Sequence, residues 1–371
     1  MDKLANDVLL FMRGKGMNLQ GSVLVTAFSG GADSVCLLHL LHGLRGLLKP
    51  AVFAAVHVDH GLRGAEGARD AAFCRAFCEA RGILFRTVCV DVMAEVARGT
   101  TSVEEAARNL RYAALCREAE TLRDAYAAAS GTDGGKEKET EGELAEKQAG
   151  KQAGKQNRIP VYIAAAHHAD DQAETILLNL LRGGGLAGLA GMDAQRPLSE
   201  TVFLIRPLLF AERRRILDYD ARHGLSFVTD STNASSEFTR NRIRNELMPL
   251  FSEINPGAAR HLAAAGERCR EADLYFKQEA AAYCDENLVF SGSFGVRIGQ
   301  KVLKEKNRIL RGYVIMETLR RLSVPLKDWG ERQFAAIDAA LFAPSGYHLD
   351  LPGGVTVQNE YKETVLYHNN K

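Results

Sequence analysis

The stretch VLVTAFSGGADSVCLLHLLHGL, residues 23–44, constrains the fold of this chain more than any other feature. Residues 23–28 are uncharged and either apolar or β-branched, which is typical of a buried strand in a parallel sheet. After Asp33 the apolar residues recur at spacings of three and four, which predicts a helix. The sequence therefore predicts a tight strand-to-helix turn at residues 29–34.

This turn has the composition of a phosphate-binding loop. Gly30 and Gly31 lack a Cβ, so the backbone can approach a ligand closely, and the following helix directs its first free N–H groups at the loop. Ser29 and Ser34 add hydroxyl donors. Asp33 repels phosphate unless a divalent cation lies between them, since such cations bind carboxylate and phosphate oxygens together. The alternative is an ordinary turn with a helix cap, because short motifs also occur by chance.

Strand and helix patterns alternate through the first half of the chain. Strands are predicted at 51–59, 83–91 and 161–167, and helices at 67–82, 101–122 and 170–185. This alternation predicts an α/β fold, a Rossmann-like parallel sheet with helices on both faces. Ligands bind such sheets beyond the carboxyl ends of the strands, which is where the loop at 29–34 lies.

The length of the chain allows more than one domain. Its 371 residues, 46% of them hydrophobic and 25% charged, suffice for two or three globular domains. We predict the α/β domain at 1–215 and a smaller, mainly helical domain at 216–371, with a hairpin at 348–367. Residues 130–158 contain almost no apolar side chains, which predicts a flexible surface insertion.

The composition argues against a secreted or membrane protein. A membrane span needs about 18 apolar residues, and no apolar run approaches that length. The N-terminus fits an amphipathic helix better than a signal peptide. Seven scattered cysteines without a C-x-x-C pair are typical of reduced thiols. We expect a cytoplasmic location, with neither a membrane nor an obligate protein partner.

Three further polar clusters lie near the ends of predicted strands or in the next helix. The motifs HVDHGLR, ARNLRY and AHHADDQAET contribute His57, Asp59, Arg108, Arg111, Asp171 and Glu174. Asp171 and Glu174 are three residues apart and share one helix face, where a carboxylate pair holds a metal or binds an ammonium group. Arg108 and Arg111 are candidates for phosphate contact, with ordinary surface charge as the alternative.

Basic residues concentrate in the second half of a chain whose net charge is only +1. One stretch begins at Arg206 and extends past Arg240 and Arg244, and another covers residues 301–321. Charge runs are usually solvated faces. Two such stretches on an otherwise neutral protein favour a polyanionic partner such as nucleic acid.

Taken together, the motifs resemble one known family. SGGADS resembles the SGGxDS pyrophosphate-binding loop of the PP-loop ATP pyrophosphatases, the adenine nucleotide alpha hydrolase-like superfamily. HVDHGLR, ARNLRY, HHADDQAET, RPLL at 206–209 and DSTNASSEFTRNRIRNELMPL at 230–250 resemble tRNA(Ile)-lysidine synthetases. The resemblance covers about residues 20–250. Many members of that family carry a further C-terminal domain, which we expect this chain to lack.

The resemblance implies a reaction. ATP-dependent ligation would attach free L-lysine to C2 of the wobble cytidine in a tRNA(Ile) with a CAU anticodon, through an adenylated cytidine, with release of AMP and pyrophosphate. It makes 1–215 the PP-loop catalytic domain and 216–371 a tRNA-binding or substrate domain. The alternatives are another adenylating enzyme of the superfamily, such as a tRNA thiolase, and a tRNA-binding protein without catalysis.

The resemblance also implies residue roles. ATP would bind at Ser29, Gly30, Gly31, Ala32, Asp33, Ser34, His57 and Asp59. The implied catalytic residues are Asp33, Arg108, Arg111, Asp171 and Glu174, with Mg²⁺ on Asp33 and lysine on the last two. The implied tRNA-binding residues are Arg206, Asn233, Arg240, Asn241 and Arg244.

Overall fold

The computed structural model describes residues 2–62, 64–99, 102–130, 159–229, 239–291, 295–326 and 329–368. Internal contacts divide the chain into two units, Met1–Gly184 with Gly191–Gly266, and Gly185–Ala190 with Glu267–Lys371. The roles predicted for 1–215 and 216–371 stay predictions. The predicted insertion at 130–158 lies, after its first residue, outside the described residues.

The first unit alternates strands and helices, and its strand boundaries follow the apolar runs of the sequence. The strands are β1 (Val23–Ala27), β2 (Val52–Asp59), β3 (Leu84–Cys89), β4 (Val161–Ala164), β5 (Gln195–Pro197) and β6 (Val202–Ile205). The helices up to the last strand are α1 (Lys3–Gly14), α2 (Ala32–Leu48), α3 (Ala65–Glu79), α4 (Val92–Arg98), α5 (Val103–Ala129) and α6 (Ala169–Leu181). Helix α8 (Arg213–Arg222) follows α7 (Leu186–Leu189), which belongs to the second unit.

The six strands form one sheet in the order β3-β2-β1-β4-β6-β5. Strand β1 pairs in parallel with both β2 and β4, and Val23 is opposite Val52 on one side and Val161 on the other. The predicted Rossmann-like parallel sheet is therefore confirmed. Strand β5 is an unpredicted antiparallel edge strand, three residues long and ending in proline, as an edge position permits.

Side chains of β1 alternate between two cores. Leu24 packs in a cluster with Leu37 and Leu41 of α2, while Val23 and Val25 pack with Leu115 and Ala119 of α5 on the other face. Because a strand points successive side chains to opposite faces, helices on both sides bury the whole strand. A fully buried Leu or Val side chain contributes about 1.5–3 kcal/mol. This burial fixes β1, and with it the loop that follows.

A helical segment after residue 238 packs on α6. It comprises α9 (Thr239–Arg242), a π-helical turn at Ile243–Leu247, α10 (Met248–Ile254) and the start of α11 (Ala258–Asn287), whose residues from Glu267 onward belong to the second unit. Ile243 and Met248 form an apolar cluster with Ala173 and Leu177 of α6. The polar face of the same stretch of chain, which carries Arg240 and Arg244, is thereby placed against the acidic residues of α6.

The second unit contains a sheet that the sequence analysis did not predict. Its elements are β7 (Leu288–Ser291), β8 (Gly295–Gly299), α12 (Gln300–Lys304), α13 (Arg308–Arg321), α14 (Glu331–Ala340), β9 (His348–Leu351), β10 (Val355–Glu360) and β11 (Glu363–His368). The antiparallel order is β7-β8-β11-β10-β9, and the β10–β11 pair confirms the predicted hairpin. The helices α13 and α14 share one apolar core with this sheet. Strand β7 follows α11 without an intervening glycine or proline, so no local signal separates it from the helix.

All seven cysteines are free thiols. Within the described ranges, no helix combines the length and the apolar composition that a membrane crossing requires.

Candidate active site

A cleft of about 420 Å³ opens in the first unit where the chain order of the strands changes direction. Strands β2 and β3 lie on one side of β1, and β4 and β6 lie on the other. Residues at the carboxyl ends of β1, β2 and β4 line the cleft, together with α5. This is the switch point at which open α/β sheets bind ligands, and the volume suits a small molecule.

The loop at 29–34 forms one wall of the cleft and has the geometry of an anion cradle. Ser29 Oγ donates to Ser34 Oγ at 3.1 Å, and Ser34 Oγ donates to the carbonyl of Gly31 at 2.9 Å. Gly30 has φ +85°, and a Cβ there would lie 2.9 Å from a methyl carbon of Val228, so the turn requires glycine. Gly31 caps α2 without a side chain, which leaves the first N–H groups of the helix available to an anion.

The structure separates the two candidates of the second strand. His57 lines the cleft, and its Nδ1 donates to the carbonyl of Phe28 at 2.9 Å, because a carbonyl can only accept. The Asp59 carboxylate is not among the cleft-lining groups; it accepts from the N–H of Gly61 at 3.0 Å. The ATP contact of Asp59 stays a prediction.

A cluster of three carboxylates surrounds His168, which lies between β4 and α6. Its Nε2 is 3.6 Å from Asp33 Oδ1 and 3.4 Å from Asp171 Oδ2, and its Nδ1 is 3.5 Å from Asp170 Oδ2. Burial lowers the pKa of His168, but the three carboxylates outweigh burial and raise the pKa to about 10. The ring is therefore an imidazolium at neutral pH, and it joins the loop after β1 to the start of α6.

Two arginines donate hydrogen bonds to the carboxylates of Asp171 and Glu174 on α6. Glu174 is 2% exposed; its Oε1 accepts from Arg244 Nε at 2.6 Å, and its Oε2 accepts from Arg240 Nε at 3.1 Å. Arg244 Nη2 also donates to Asp171 Oδ1 at 2.8 Å. The prediction that Asp171 and Glu174 share a helix face is confirmed. Neither carboxylate lines the cleft, and Asp171 connects to it through His168 and Asp33.

The neighbouring histidine has the opposite charge state. Arg206, 1% exposed, donates from Nε to His167 Nδ1 at 3.3 Å and from Nη1 to the carbonyl of Asp193 at 2.5 Å. Burial and the positive charge of Arg206 lower the pKa of His167 to about 3. His167, which lines the cleft, is thus neutral with its proton on Nε2. The tRNA contact of Arg206 stays a prediction, since its guanidinium is buried and donates to protein atoms.

The two arginines of ARNLRY differ in position. Both side chains are exposed, but Arg111 lines the cleft and donates from Nε to His60 Nε2 at 3.3 Å, whereas Arg108 is not a lining residue. Arg108 and Arg196 both lie against the ring of Tyr112, at 5.9 and 5.4 Å from its centroid. Sequence reasoning missed Arg196, because the three-residue strand β5 carries no motif and no detectable period.

The remaining predicted residues lie on the segment before α10. Asn241 is half-buried on α9, between Arg240 and Arg242 in the sequence. Asn233 lies outside the described residues.

The residues around Asp33 fit a hydrated Mg²⁺ shared with a ligand. No group of three or more His, Cys, Asp or Glu side chains in the described ranges is arranged as a metal cage. Mg²⁺ is commonly bound by one or two carboxylates plus phosphate oxygens and water, which needs no such cage. Asp33 Oδ1 is buried and accepts no hydrogen bond from the described residues. His168 Nε2 lies 3.6 Å and Arg213 Nε 3.9 Å from it, so a bound cation would share this oxygen with two charged side chains.

The charge on His168 should make the free energy of unfolding depend on pH. The folded pKa of about 10 exceeds the ordinary 6.5, so the stabilisation is complete below pH 6.5 and is lost as pH rises toward 10. We expect His168→Gln to lower the free energy of unfolding by about 3 kcal/mol at pH 6.5, and by progressively less above it. Urea unfolding across this pH range measures the difference. His261→Gln, at an exposed position, is the control, and a pH-independent deficit in His168→Gln would contradict the assignment.

The chain is similar to known proteins over nearly its whole length. The chain matches the family model for the PP-loop domain at residues 6–130 and 149–251. It is 30% identical to a tRNA(Ile)-lysidine synthase of Dehalococcoides mccartyi over 98% of this chain and 70% of that protein. It is 31% identical to one of Geobacter sulfurreducens over 99% of this chain and 69% of that protein.

A solved structure supports the fold alone. A U34-tRNA thiolase of Methanococcus maripaludis superposes with a TM-score of 0.50 at 17% identity, covering 72% of this chain and 79% of that one. The thiolase is thus a distant structural neighbour, while the sequence relatives extend over nearly the whole chain. The family predicted from the motifs is confirmed, and the chain belongs to the tRNA(Ile)-lysidine synthases, within the PP-loop proteins.

Proposed function

We propose that this protein joins lysine to C2 of the wobble cytidine of tRNA(Ile) with a CAU anticodon, in the cytoplasm, at the expense of ATP. The observation that carries the proposal is the His168 cluster. It links a phosphate-binding loop, through Asp33, to Asp171, and Arg244 joins Asp171 to Glu174. A single site thus offers groups for a leaving pyrophosphate and for an incoming amine.

The first step is adenylation of the cytosine. The C2 carbonyl oxygen attacks the α-phosphate of ATP, a P–O bond forms, and pyrophosphate leaves with the electron pair of the broken bond. The N–H groups at the start of α2 and the hydroxyls of Ser29 and Ser34 hold the pyrophosphate. Arg111, which lines the cleft, offsets charge at the α-phosphate. Asp33 would hold Mg²⁺, which when bound neutralises phosphate charge.

The second step uses lysine. The ε-amine attacks C2 and a C–N bond forms, while the C2–O bond breaks and AMP leaves with the former carbonyl oxygen and the electron pair of that bond. The amine loses a proton to a base. Asp171 and Glu174 attract the ammonium form of lysine into the site, and one of them accepts the proton.

Lysine competes with protein arginines for these carboxylates. Both oxygens of Glu174 accept from arginines. An ammonium group reaches Oε1 only when Arg244 moves, and it reaches Oε2 only when Arg240 moves as well. RNA phosphates attract the same arginines. The roles proposed for the four residues therefore imply an order, in which tRNA binds first and exposes the carboxylates to lysine.

This order predicts that lysine affinity depends on tRNA. We expect lysine to bind at least about tenfold more tightly with saturating tRNA present, and Arg244→Gln to bind lysine without tRNA, because one guanidinium no longer covers Glu174. Calorimetric titration of lysine with and without tRNA measures both effects. The matched control is Arg242→Gln, two residues earlier in the same helical segment; among the described residues Arg242 pairs with exposed Glu246 and not with Glu174. Equal lysine affinity with and without tRNA would refute the order.

Lysine incorporation tests the function itself. Radiolabelled lysine, ATP and Mg²⁺ are incubated with a CAU-anticodon tRNA(Ile) transcript and with the same transcript carrying wobble uridine. We expect label only on the transcript with wobble cytidine, with one AMP per lysine. Absence of label on both would overturn the proposal, and tRNA-stimulated AMP formation without label would assign another nucleophile, as in a thiolase.

A further inference from the structure

Three side chains form a cation–aromatic stack beside the cleft. Arg108 and Tyr112 are one turn apart on α5, and Arg196 is the middle residue of β5, opposite Leu204 of β6. The guanidinium carbons of Arg108 and Arg196 lie 5.9 and 5.4 Å from the centroid of the Tyr112 ring. Arginine stacks on aromatic faces in this way while its donors stay free for a planar anion.

Neither arginine of this stack has an ion-pair or hydrogen-bond partner among the side chains that the structure describes. Four arginines on α8 and α9 differ, since Arg215, Arg222, Arg240 and Arg242 each pair with a carboxylate. A third cation, buried Arg206, lies close by: burial lowers its pKa, and the charges of Arg196 and Arg108 lower it further. Positive charges gathered without acidic partners favour an anionic ligand.

The position of the stack indicates which anion it binds. Tyr112 and Arg111 line the cleft, but Arg108 and Arg196 do not; these two reach it only through the Tyr112 ring that they contact. The triphosphate of ATP has its own cradle at residues 29–34. A polynucleotide strand with one base turned inward meets both conditions, since it places that base in the cleft and an anionic phosphate outside it.

We infer that the Arg108–Tyr112–Arg196 stack binds a backbone phosphodiester of single-stranded RNA next to the base that enters the cleft. This inference rests on the proposed function and assigns Arg196 as a positioning residue for the reacting base. The two guanidinium groups bind phosphate oxygens, and such contacts fix the register of the strand without reading its sequence. Bases of looped RNA are splayed apart, so one base can turn away from its neighbouring bases while its phosphate is held.

Binding of an anticodon stem-loop RNA, without ATP or lysine, tests the inference. We expect Arg196→Ala to weaken binding about tenfold and to reduce the slope of log affinity against log salt by about 0.7, the value for one phosphate contact on a single strand. Arg196→Lys should regain the salt slope but only part of the affinity, because a lysine lacks the planar fork. Arg117→Ala, an exposed arginine on the same helix, is the matched control and should change binding less than about twofold.

The outcomes separate this inference from the proposed function. Unchanged RNA affinity and salt slope in Arg196→Ala would overturn it, and so would weaker ATP binding with normal RNA binding, since the anion would then be the nucleotide. In turnover assays the variant should raise the KM for tRNA more than it lowers kcat at saturating tRNA. If the wild-type protein binds RNA but forms no lysidine, the proposed function fails while the binding comparison still tests the stack. Arg196→Lys serves as the test should Arg196→Ala unfold at assay temperature.

Discussion

The interaction on which the site depends is the imidazolium of His168 among three carboxylates. Asp33 belongs to the helix after the phosphate-binding loop, and Asp170 and Asp171 belong to the first turn of α6. Without a positive charge between them, these carboxylates would repel each other and separate the two helices. With it, Asp33 and Asp171, for which we propose roles in the phosphate chemistry and in binding the amine, form one electrostatic unit that Arg244 extends to Glu174.

Two adjacent histidines have opposite roles because their neighbours differ. His168 is surrounded by carboxylates and keeps its proton, while His167 contacts buried Arg206 and loses it. A neutral ring that lines the cleft donates a hydrogen bond to a ligand without adding charge. The sequence HH carries no signal that tells these states apart, since both depend on residues that are distant along the chain.

The parts of the site that were predictable are local. The strand, the glycine turn and the helix at residues 23–48 follow from apolar runs and spacing within one segment, as does the shared face of Asp171 and Glu174. Contacts between distant segments were not predictable in this way. The pairing of Arg240 and Arg244 with Glu174 depends on the apolar packing of Ile243 and Met248 against α6, and Arg196 is placed by a three-residue edge strand.

We propose that one site first adenylates the RNA base and then promotes attack of lysine on the adenylated base. This proposal is tested most directly by a pulse and chase with ATP radiolabelled at the α-phosphate. We expect label to accumulate on the CAU transcript when lysine is omitted, and added lysine to release it as AMP in step with lysidine formation. Label that never enters the RNA, or that lysine does not release, would contradict it.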